Sequence, residues 1–317
     1  MLNFLKTTLQ NTNTLIVVVG PTAIGKTALA IQLAQHFGSE IISCDSRQFY
    51  KEMCIGTAVP SVDELQAAPH HFIQNISITQ NYSVGDFERE ALEKLTELFA
   101  KNPIQIMVGG SGLYVDAVIK GFDDFPDIDP KIRELVVQQY NFQGLEYLQN
   151  QLKELDSVYY QYILENNAQT LQNPQRLMRF VEVCLGTQKP YSSFLNQPKK
   201  QRDFNVILIG LEADRAVLNA RINLRVDLMM QQGLLEEVKS VEVYKHLNAL
   251  QTVGYKELFD YLAGNISLEQ AVEDIKMNTR RFAKRQMTWF KRNSNIQWFE
   301  FKTPLAEIIT QIQTYEK

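Results

Sequence analysis

Residues Gly20-Pro21-Thr22-Ala23-Ile24-Gly25-Lys26-Thr27 spell G-x-x-x-x-G-K-T, set between the apolar run Leu15-Ile16-Val17-Val18-Val19 and a helix-periodic segment that begins Ala28-Leu29-Ala30-Ile31. No other feature constrains the fold as tightly. A buried strand must end at a glycine turn that leads into a helix N-terminus, where unpaired N–H groups and the helix dipole favour an anion. In such a loop the backbone amides cradle phosphate oxygens, Lys26 adds a point charge, and the Thr27 hydroxyl is placed to ligate Mg²⁺. The loop establishes a bound phosphate ester, diphosphate or nucleotide, along Gly20 to Thr27. It does not specify ATP.

Strand-like and helix-like segments alternate through the first third of the chain. Ile41-Ile42-Ser43-Cys44 is a short apolar run ending at Asp45. The stretch from Glu88 to Ala100 carries helical periodicity through Ala91, Leu92, Leu95 and Leu98-Phe99. Pro103 to Val108 reads as another strand, closed by Gly109-Gly110. This alternation predicts an α/β fold, a P-loop NTPase-like doubly wound parallel sheet. From Gly121 the texture changes to a turn-rich linker and then Gln- and Tyr-rich helical stretches, with no strand until Phe204 to Ile209. The expected organisation is a core formed by 1–121 and 203–317, ending in C-terminal helices, and a helical insertion over 122–202.

The chain has 317 residues, 45% of them apolar and 21% charged, as in an ordinary globular protein. No apolar stretch approaches the roughly 20 residues of a membrane span, and no secretory pattern opens the sequence. Cys44, Cys54 and Cys184 are isolated, so a disulfide framework or zinc finger is not expected and a cytoplasmic location fits. His70-His71 lacks the Cys, Asp or Glu spacing of a metal site and reads as structural, near the mouth of the site. The net charge of −4 points to no nucleic acid, but Lys276 to Arg292 holds seven basic residues and no acidic one. Arg281, Lys284 or Arg285, Thr288, and Lys291 or Arg292 recur at helical spacing, a stripe suited to RNA phosphates. Arg176 and Arg179 share a helix face at i, i+3. Trp289 is expected in the core.

Taken in order, further segments join the phosphate loop: Asp45-Ser46-Arg47-Gln48-Phe49-Tyr50, Ile55-Gly56-Thr57-Ala58-Val59-Pro60, His70-His71-Phe72 and Gly109-Gly110-Ser111-Gly112-Leu113-Tyr114. Asn173-Pro174-Gln175-Arg176, Arg221-Ile222-Asn223-Leu224-Arg225, Gln251-Thr252-Val253-Gly254-Tyr255-Lys256 and Ala283-Lys284-Arg285-Gln286-Met287-Thr288-Trp289 follow. From about Leu15 to Trp298 the chain resembles the bacterial tRNA dimethylallyltransferases, also called tRNA isopentenyltransferases. The resemblance implies transfer of a dimethylallyl group from dimethylallyl diphosphate to N6 of the adenosine 3′-adjacent to the anticodon. It implies catalytic roles for Asp45, Arg225, Lys26 and Thr27, with Mg²⁺ as cofactor. The adenine amine is a poor nucleophile and needs a general base, the role that falls to Asp45. Arg225 joins the loop amides, Lys26 and Mg²⁺ in neutralising the departing diphosphate. Arg221, one turn away, is left undecided between that role and a surface charge.

For tRNA the resemblance implies contacts from Asp45, Ser46, Arg47, Gln48, Ser111, Arg133, Gln175, Arg176, Leu177, Met178 and Arg179. It implies the same for Gln251, Thr252, Val253, Gly254, Tyr255 and Lys256, and for Lys284, Arg285, Gln286, Met287, Thr288, Trp289, Phe290 and Lys291. The insertion is expected on the anticodon stem-loop. The partners are tRNA and dimethylallyl diphosphate, with no membrane, and the protein is expected to be a monomer. Ser111 stands where most family members carry Thr, and Arg47 where a small residue is commoner. Arg47 either adds a phosphate contact or narrows the channel.

Two other readings compete. A P-loop small-molecule or nucleotide kinase would use the same Lys26, Thr27 and Mg²⁺, with the insertion as an arginine-bearing lid. It leaves the acid-free basic segment and Asn173 to Arg176 unexplained. The strand before Gly109-Gly110 also lacks the terminal acid with which P-loop NTPases hold Mg²⁺. A non-catalytic RNA-binding module is the second. The joint presence of Asp45, Lys26, Thr27 and Arg225 argues against it.

Overall fold

A computed structural model describes residues 13–123, 125–195 and 201–314. Six strands form one sheet: β1 (Thr14–Val19), β2 (Ile41–Ser43), β3 (His70–His71), β4 (Ile104–Val108), β5 (Asn205–Glu212) and β6 (Gln297–Glu300). Their order is β3-β2-β4-β1-β5-β6, and every pairing is parallel. The helices are α1 (Lys26–Phe37), α2 (Val62–Ala67), α3 (Val84–Phe99), α4 (Gly112–Lys120), α5 (Pro130–Leu155), α6 (Ser157–Asn167), α7 (Pro174–Thr187), α8 (Arg215–Gln231), α9 (Leu234–Ser240), α10 (Tyr255–Leu262), α11 (Leu268–Phe290) and α12 (Leu305–Thr314).

All six residues of β1 are buried because helices cover both faces of the sheet. Alternate side chains enter opposite cores. Ile16 and Val18 pack with Leu29 and Leu33 of α1, Leu218 and Ile222 of α8, and Ile308 and Ile312 of α12. Leu15, Val17 and Val19 pack with Phe87, Ala91 and Leu95 of α3, Val115 and Val118 of α4, and Phe290 of α11. A third cluster joins Val226, Leu234, Val238, Leu250, Tyr255, Leu258 and Ile275 to Met53.

The sheet order sets the site. β2, β4 and β1 are successive neighbours, so their C-terminal ends bring together Asp45, Gly109-Gly110 and the phosphate loop. Backbone bonds continue the pairing past the strand ends: Cys44 N–H donates to Val108 O at 2.8 Å, and Gly109 N–H to Val18 O at 3.2 Å. Ligands of open parallel sheets collect at this edge.

The chain divides into two compact units, one built from the segments up to Lys120 and from Arg202 onward, the other from Gly121–Gln201. The second is helical, with a core of Val136, Leu148, Leu152, Ile163, Leu177, Met178, Phe180 and Val181. Gly144, at φ 76°, ψ −163°, breaks the helical path inside α5. Asn173 caps α7 by accepting from Arg176 N–H at 3.2 Å, with Pro174 in the first turn. Asn-Pro-Gln-Arg is thus a helix start, a structural role for Asn173 and Pro174 that leaves the Arg176 side chain on the first turn of α7.

Two edge strands escaped the sequence reading. β3 is two residues long, and β6 follows the basic helix and pairs with β5. No helix of the described residues is long and apolar enough to cross a membrane.

Candidate active site

The phosphate loop is braced from three directions. Gly25, at φ 112°, adopts the left-handed conformation that starts α1. Gln286 of α11 spans two strand ends, its Oε1 accepting from Thr22 N–H at 2.8 Å and its Nε2 donating to Gly110 O at 2.9 Å. A Cβ on Gly110 would displace Gln286 Nε2 from its place and stand 3.7 Å from Lys26 Nζ, so glycine here lets Gln286 reach the loop. Arg221 Nε donates to Ala23 O at 2.8 Å, and its guanidinium lies 4.9 Å from the Phe301 ring centre. Arg221 thus holds the loop backbone at Ala23.

Lys26 Nζ donates to Pro21 O at 2.8 Å. Burial lowers its pKa to about 8, against the opposing pull of Asp45. Arg225 Nη1 lies 3.5 Å from Thr22 Oγ1. Burial and the like charge of Arg221 disfavour the charge on Arg225, and Asp45 favours it.

Asp45 occupies the turn after β2. Its Oδ1 accepts weakly from Arg47 N–H at 3.4 Å. Ser111 holds the next residue, its Oγ lying 3.1 Å from both Ser46 N and Ser46 Oγ. Burial raises the Asp45 pKa above the ordinary carboxylate value, although Lys26, Arg47 and Arg225 all pull it down. Arg47 Nη1 donates to Asn248 O and Ala249 O, each at 2.8 Å. Arg47 is therefore committed to the backbone just before Gln251, and narrowing fits this geometry better than a free phosphate contact.

These groups open onto one cleft of about 850 Å³. Thr22, Asp45, Ser46, Arg47, Gly110, Ser111 and Arg225 line one part, and Gln251 to Gly254, Lys256, Arg285, Gln286 and Trp289 another. Thr22 of the phosphate loop, the Arg225 guanidinium and a carboxylate reluctant to ionise thus share one cleft.

Several residues expected on tRNA have other work. Gln48 Nε2 donates to Thr57 O at 3.1 Å and Ala58 O at 2.8 Å, and Gln48 does not line the cleft. Tyr255 is fully buried and Phe290 nearly so. Leu177 and Met178 are core residues of the 121–201 unit. The buried side chains of Tyr255, Phe290, Leu177 and Met178 are closed to RNA, which corrects their assignment. Gln286 is buried and committed to the loop.

Of the basic stripe, Lys291 meets an acid brought in from β5, and Lys276 and Arg280 just before the stripe are also partnered. Lys276 pairs with Asp227 and Glu273 at 2.8 and 2.9 Å, and Lys291 with Glu212 at 2.7 Å. Arg280 donates to Asn223 Oδ1 at 2.6 Å. Arg285 lines the cleft, while Lys284 and Thr288 are exposed outside it and Met287 is half-buried. Trp289 departs in the other direction. It is 37% exposed, lines the cleft, and donates from Nε1 to Asp116 Oδ2 at 3.0 Å, so it is not core.

In the 121–201 unit, Arg133 and Arg179 share the carboxylate of Glu182 at 3.0 and 2.7 Å. Gln175 Oε1 accepts from Arg133 at 3.1 Å, and Arg176 donates to Thr170 Oγ1 at 3.2 Å. His71 Nε2 lies 2.7 Å from Glu40 Oε2, and His70 Nδ1 2.8 Å from Ala68 O, at the sheet edge. Neither lines the cleft, so their expected place at its mouth is corrected.

A parallel α/β sheet that carries a phosphate loop beside a shielded carboxylate defines a P-loop-type enzyme. A family profile described as "IPP transferase" matches residues 48–293. A tRNA dimethylallyltransferase of Flavobacterium johnsoniae is 64% identical over 298 residues, 94% of this chain and 96% of that relative. One from Christiangramia forsetii is 54% identical over 302 residues, covering 95% and 98% respectively. The crystal structure of a tRNA isopentenylpyrophosphate transferase from Bacillus halodurans matches with a TM-score of 0.69 at 34% identity, covering 96% of this chain and 95% of that one. A eukaryotic dimethylallyltransferase acting on tRNA gives 0.77 at 25% identity, covering 96% and 77%. The chain belongs to the IPP transferase family, and its enzyme class is transferase.

Proposed function

We propose that the protein transfers a dimethylallyl group from dimethylallyl diphosphate to N6 of the adenosine 3′-adjacent to the anticodon in tRNA, releasing diphosphate. The supporting observation is that Asp45 shares a cleft with Arg225, Thr22 of the phosphate loop, and Gly110, where a Cβ would stand 3.7 Å from Lys26 Nζ. The N6 lone pair attacks the allylic carbon as its C–O bond to diphosphate breaks, and the bonding pair leaves with the diphosphate. Asp45 takes the N6 proton. Lys26, Arg225 and the loop amides hold the charge that collects on the leaving group, within a shielded space where such contacts are strong.

Mg²⁺ fits the donor set of the loop. Thr27 stands half-buried in the first turn of α1, and this ion takes few protein ligands, completing its shell with phosphate oxygens and water. When bound, it would neutralise charge on the diphosphate.

Arg285, Lys256 and Trp289 in the cleft, and Arg133, Arg176 and Arg179 in the 121–201 unit, are the tRNA contacts this reading retains. A flipped adenine costs a few kcal/mol of unstacking, which Trp289 can offset by stacking. A monomer in the cytoplasm, where tRNA is found, completes the reading. The test is mass spectrometry of nucleosides from unmodified tRNA incubated with the protein, Mg²⁺ and dimethylallyl diphosphate. N6-(dimethylallyl)adenosine is the expected product. Its absence, together with phosphate transfer from ATP to a small acceptor, would install the kinase reading instead. Asp45→Ala is expected to abolish transfer while leaving tRNA affinity within about threefold, since general-base loss acts on the chemical step.

A further inference from the structure

Glu237 of α9 has no part in the chemistry above, yet it receives an unusual set of donors. Its Oε2 accepts from Cys54 N–H at 2.9 Å and Ile55 N–H at 2.7 Å. Its Oε1 accepts from Gly56 N–H at 2.9 Å and from the Tyr255 hydroxyl at 2.6 Å. Three consecutive backbone amides and a phenol thus converge on one carboxylate, each bond strengthened by its charge. Burial and the adjacent carboxylate push the Tyr255 hydroxyl well above its ordinary pKa, so it remains a donor.

The two segments held this way both contribute walls of the cleft. Cys54 to Gly56 leads into Thr57 and Ala58, which line it with Gly56. Tyr255 follows Gln251 to Gly254, which line it as well. The walls touch beneath the surface: a Cβ on Gly56 would come within 2.5 Å of Tyr255 Cε2. Each wall is also tied to the turn carrying Asp45. Gln48 Nε2 holds the first through Thr57 O and Ala58 O. Arg47 Nη1 holds the second through Asn248 O and Ala249 O. The result is a closed circuit from the Asp45 turn through Arg47 and Gln48 to two loops that end on the same carboxylate. The phosphate loop is held separately, by Gln286 and Arg221.

We propose that Glu237 is a positioning residue for the acceptor side of the cleft: it fixes both loop walls and, through Arg47 and Gln48, the approach of Asp45 to the adenine. The proposal rests on the transferase reading and deepens it. A simple anchor for α9 would affect both substrates alike through stability. A positioning residue separates them, because its circuit excludes the loop that holds the diphosphate.

The experiment measures steady-state kinetics, with tRNA and dimethylallyl diphosphate varied in turn, for wild type, Glu237→Gln and Tyr255→Phe, alongside their melting temperatures. Glu237→Gln keeps the shape but removes the charge. It is expected to lower kcat about 10- to 100-fold, the scale of a misplaced reacting group. KM for dimethylallyl diphosphate should stay within about twofold while KM for tRNA rises. Tyr255→Phe, which removes one bond of four, should show the same split at smaller amplitude. A kcat within twofold of wild type in both variants overturns the proposal. So does an equal loss of affinity for both substrates that tracks a fall in melting temperature. If Glu237→Gln does not fold, Tyr255→Phe decides by the same criteria. Wild-type protein that forms no prenylated adenosine refutes the transferase reading and this role with it. Active wild type with indifferent variants refutes the role alone.

Discussion

Burial discourages the charge on both Lys26 and Asp45, although each favours the charge of the other. The free site therefore works in a limited pH window. Asp45 is an active base only when ionised, so kcat/KM rises with pH through a value above the ordinary carboxylate pKa of about 4. Lys26 attracts diphosphate only when protonated, so kcat/KM falls as pH passes about 8. Bound diphosphate favours the ammonium form, so the falling limb of kcat should lie at higher pH than that of kcat/KM. Lys26→Arg keeps its charge throughout this range. In that variant the limb near 8 should vanish from the kcat/KM profile even if the rate drops, and an unmoved limb would exclude Lys26 as its source. Stability follows with the opposite sign. Folded Lys26 binds its proton less tightly than the unfolded chain does, so the free protein should gain stability between about pH 8 and 10.5. Thermal melts across that interval check the sign.

At the scale of elements, α11 is the least legible from sequence. The acid-free run from Lys276 to Arg292 reads as an RNA stripe, but the distribution of partners is a tertiary property: Asp227 comes from α8 and Glu212 from β5. Gln286, read as an RNA contact, proves to be the strut between β1 and β4. Local signals served better where local physics decides the outcome. The glycine loop, the apolar runs of β1, β4 and β5, and the helical periodicity of α3 all form close to where the sequence puts them. β3 and β6 escaped because they are short and, unlike the apolar Ile41-Ile42 of β2, are His-His and Gln-Trp-Phe-Glu, half-buried segments with little apolar pattern. Gln286→Ala should show the strut at work. It leaves Thr22 N–H and Gly110 O without their partner, at a cost of about 1–3 kcal/mol, and frees the loop. The expected outcome is a higher KM for dimethylallyl diphosphate with little change in tRNA affinity, read by varying each substrate. An effect on tRNA affinity alone would return Gln286 to the RNA surface.

Across the whole molecule, a net charge of −4 coexists with arginines gathered at particular places. Global charge says little about nucleic acid because phosphate affinity depends on which cations are free to replace counterions. The structure sorts them. Lys276 and Lys291 have carboxylate partners, whereas Arg285 lies over the Phe282 ring on the cleft wall, 5.7 Å from its centre. Arg133 and Arg179 form an intermediate case: two guanidinium groups divide one carboxylate, so the trio keeps a net positive charge in a fixed geometry. tRNA affinity should therefore fall steeply with salt despite the acidic chain. In plots of log affinity against log salt, Arg285→Ala and Arg179→Ala should each reduce the slope by about one counterion. Lys291→Ala should leave it unchanged, because that ammonium is already neutralised by Glu212 and releases nothing on binding. A slope reduced equally by all three would mean that the ion pairs open on contact with RNA and that the stripe acts as one continuous surface.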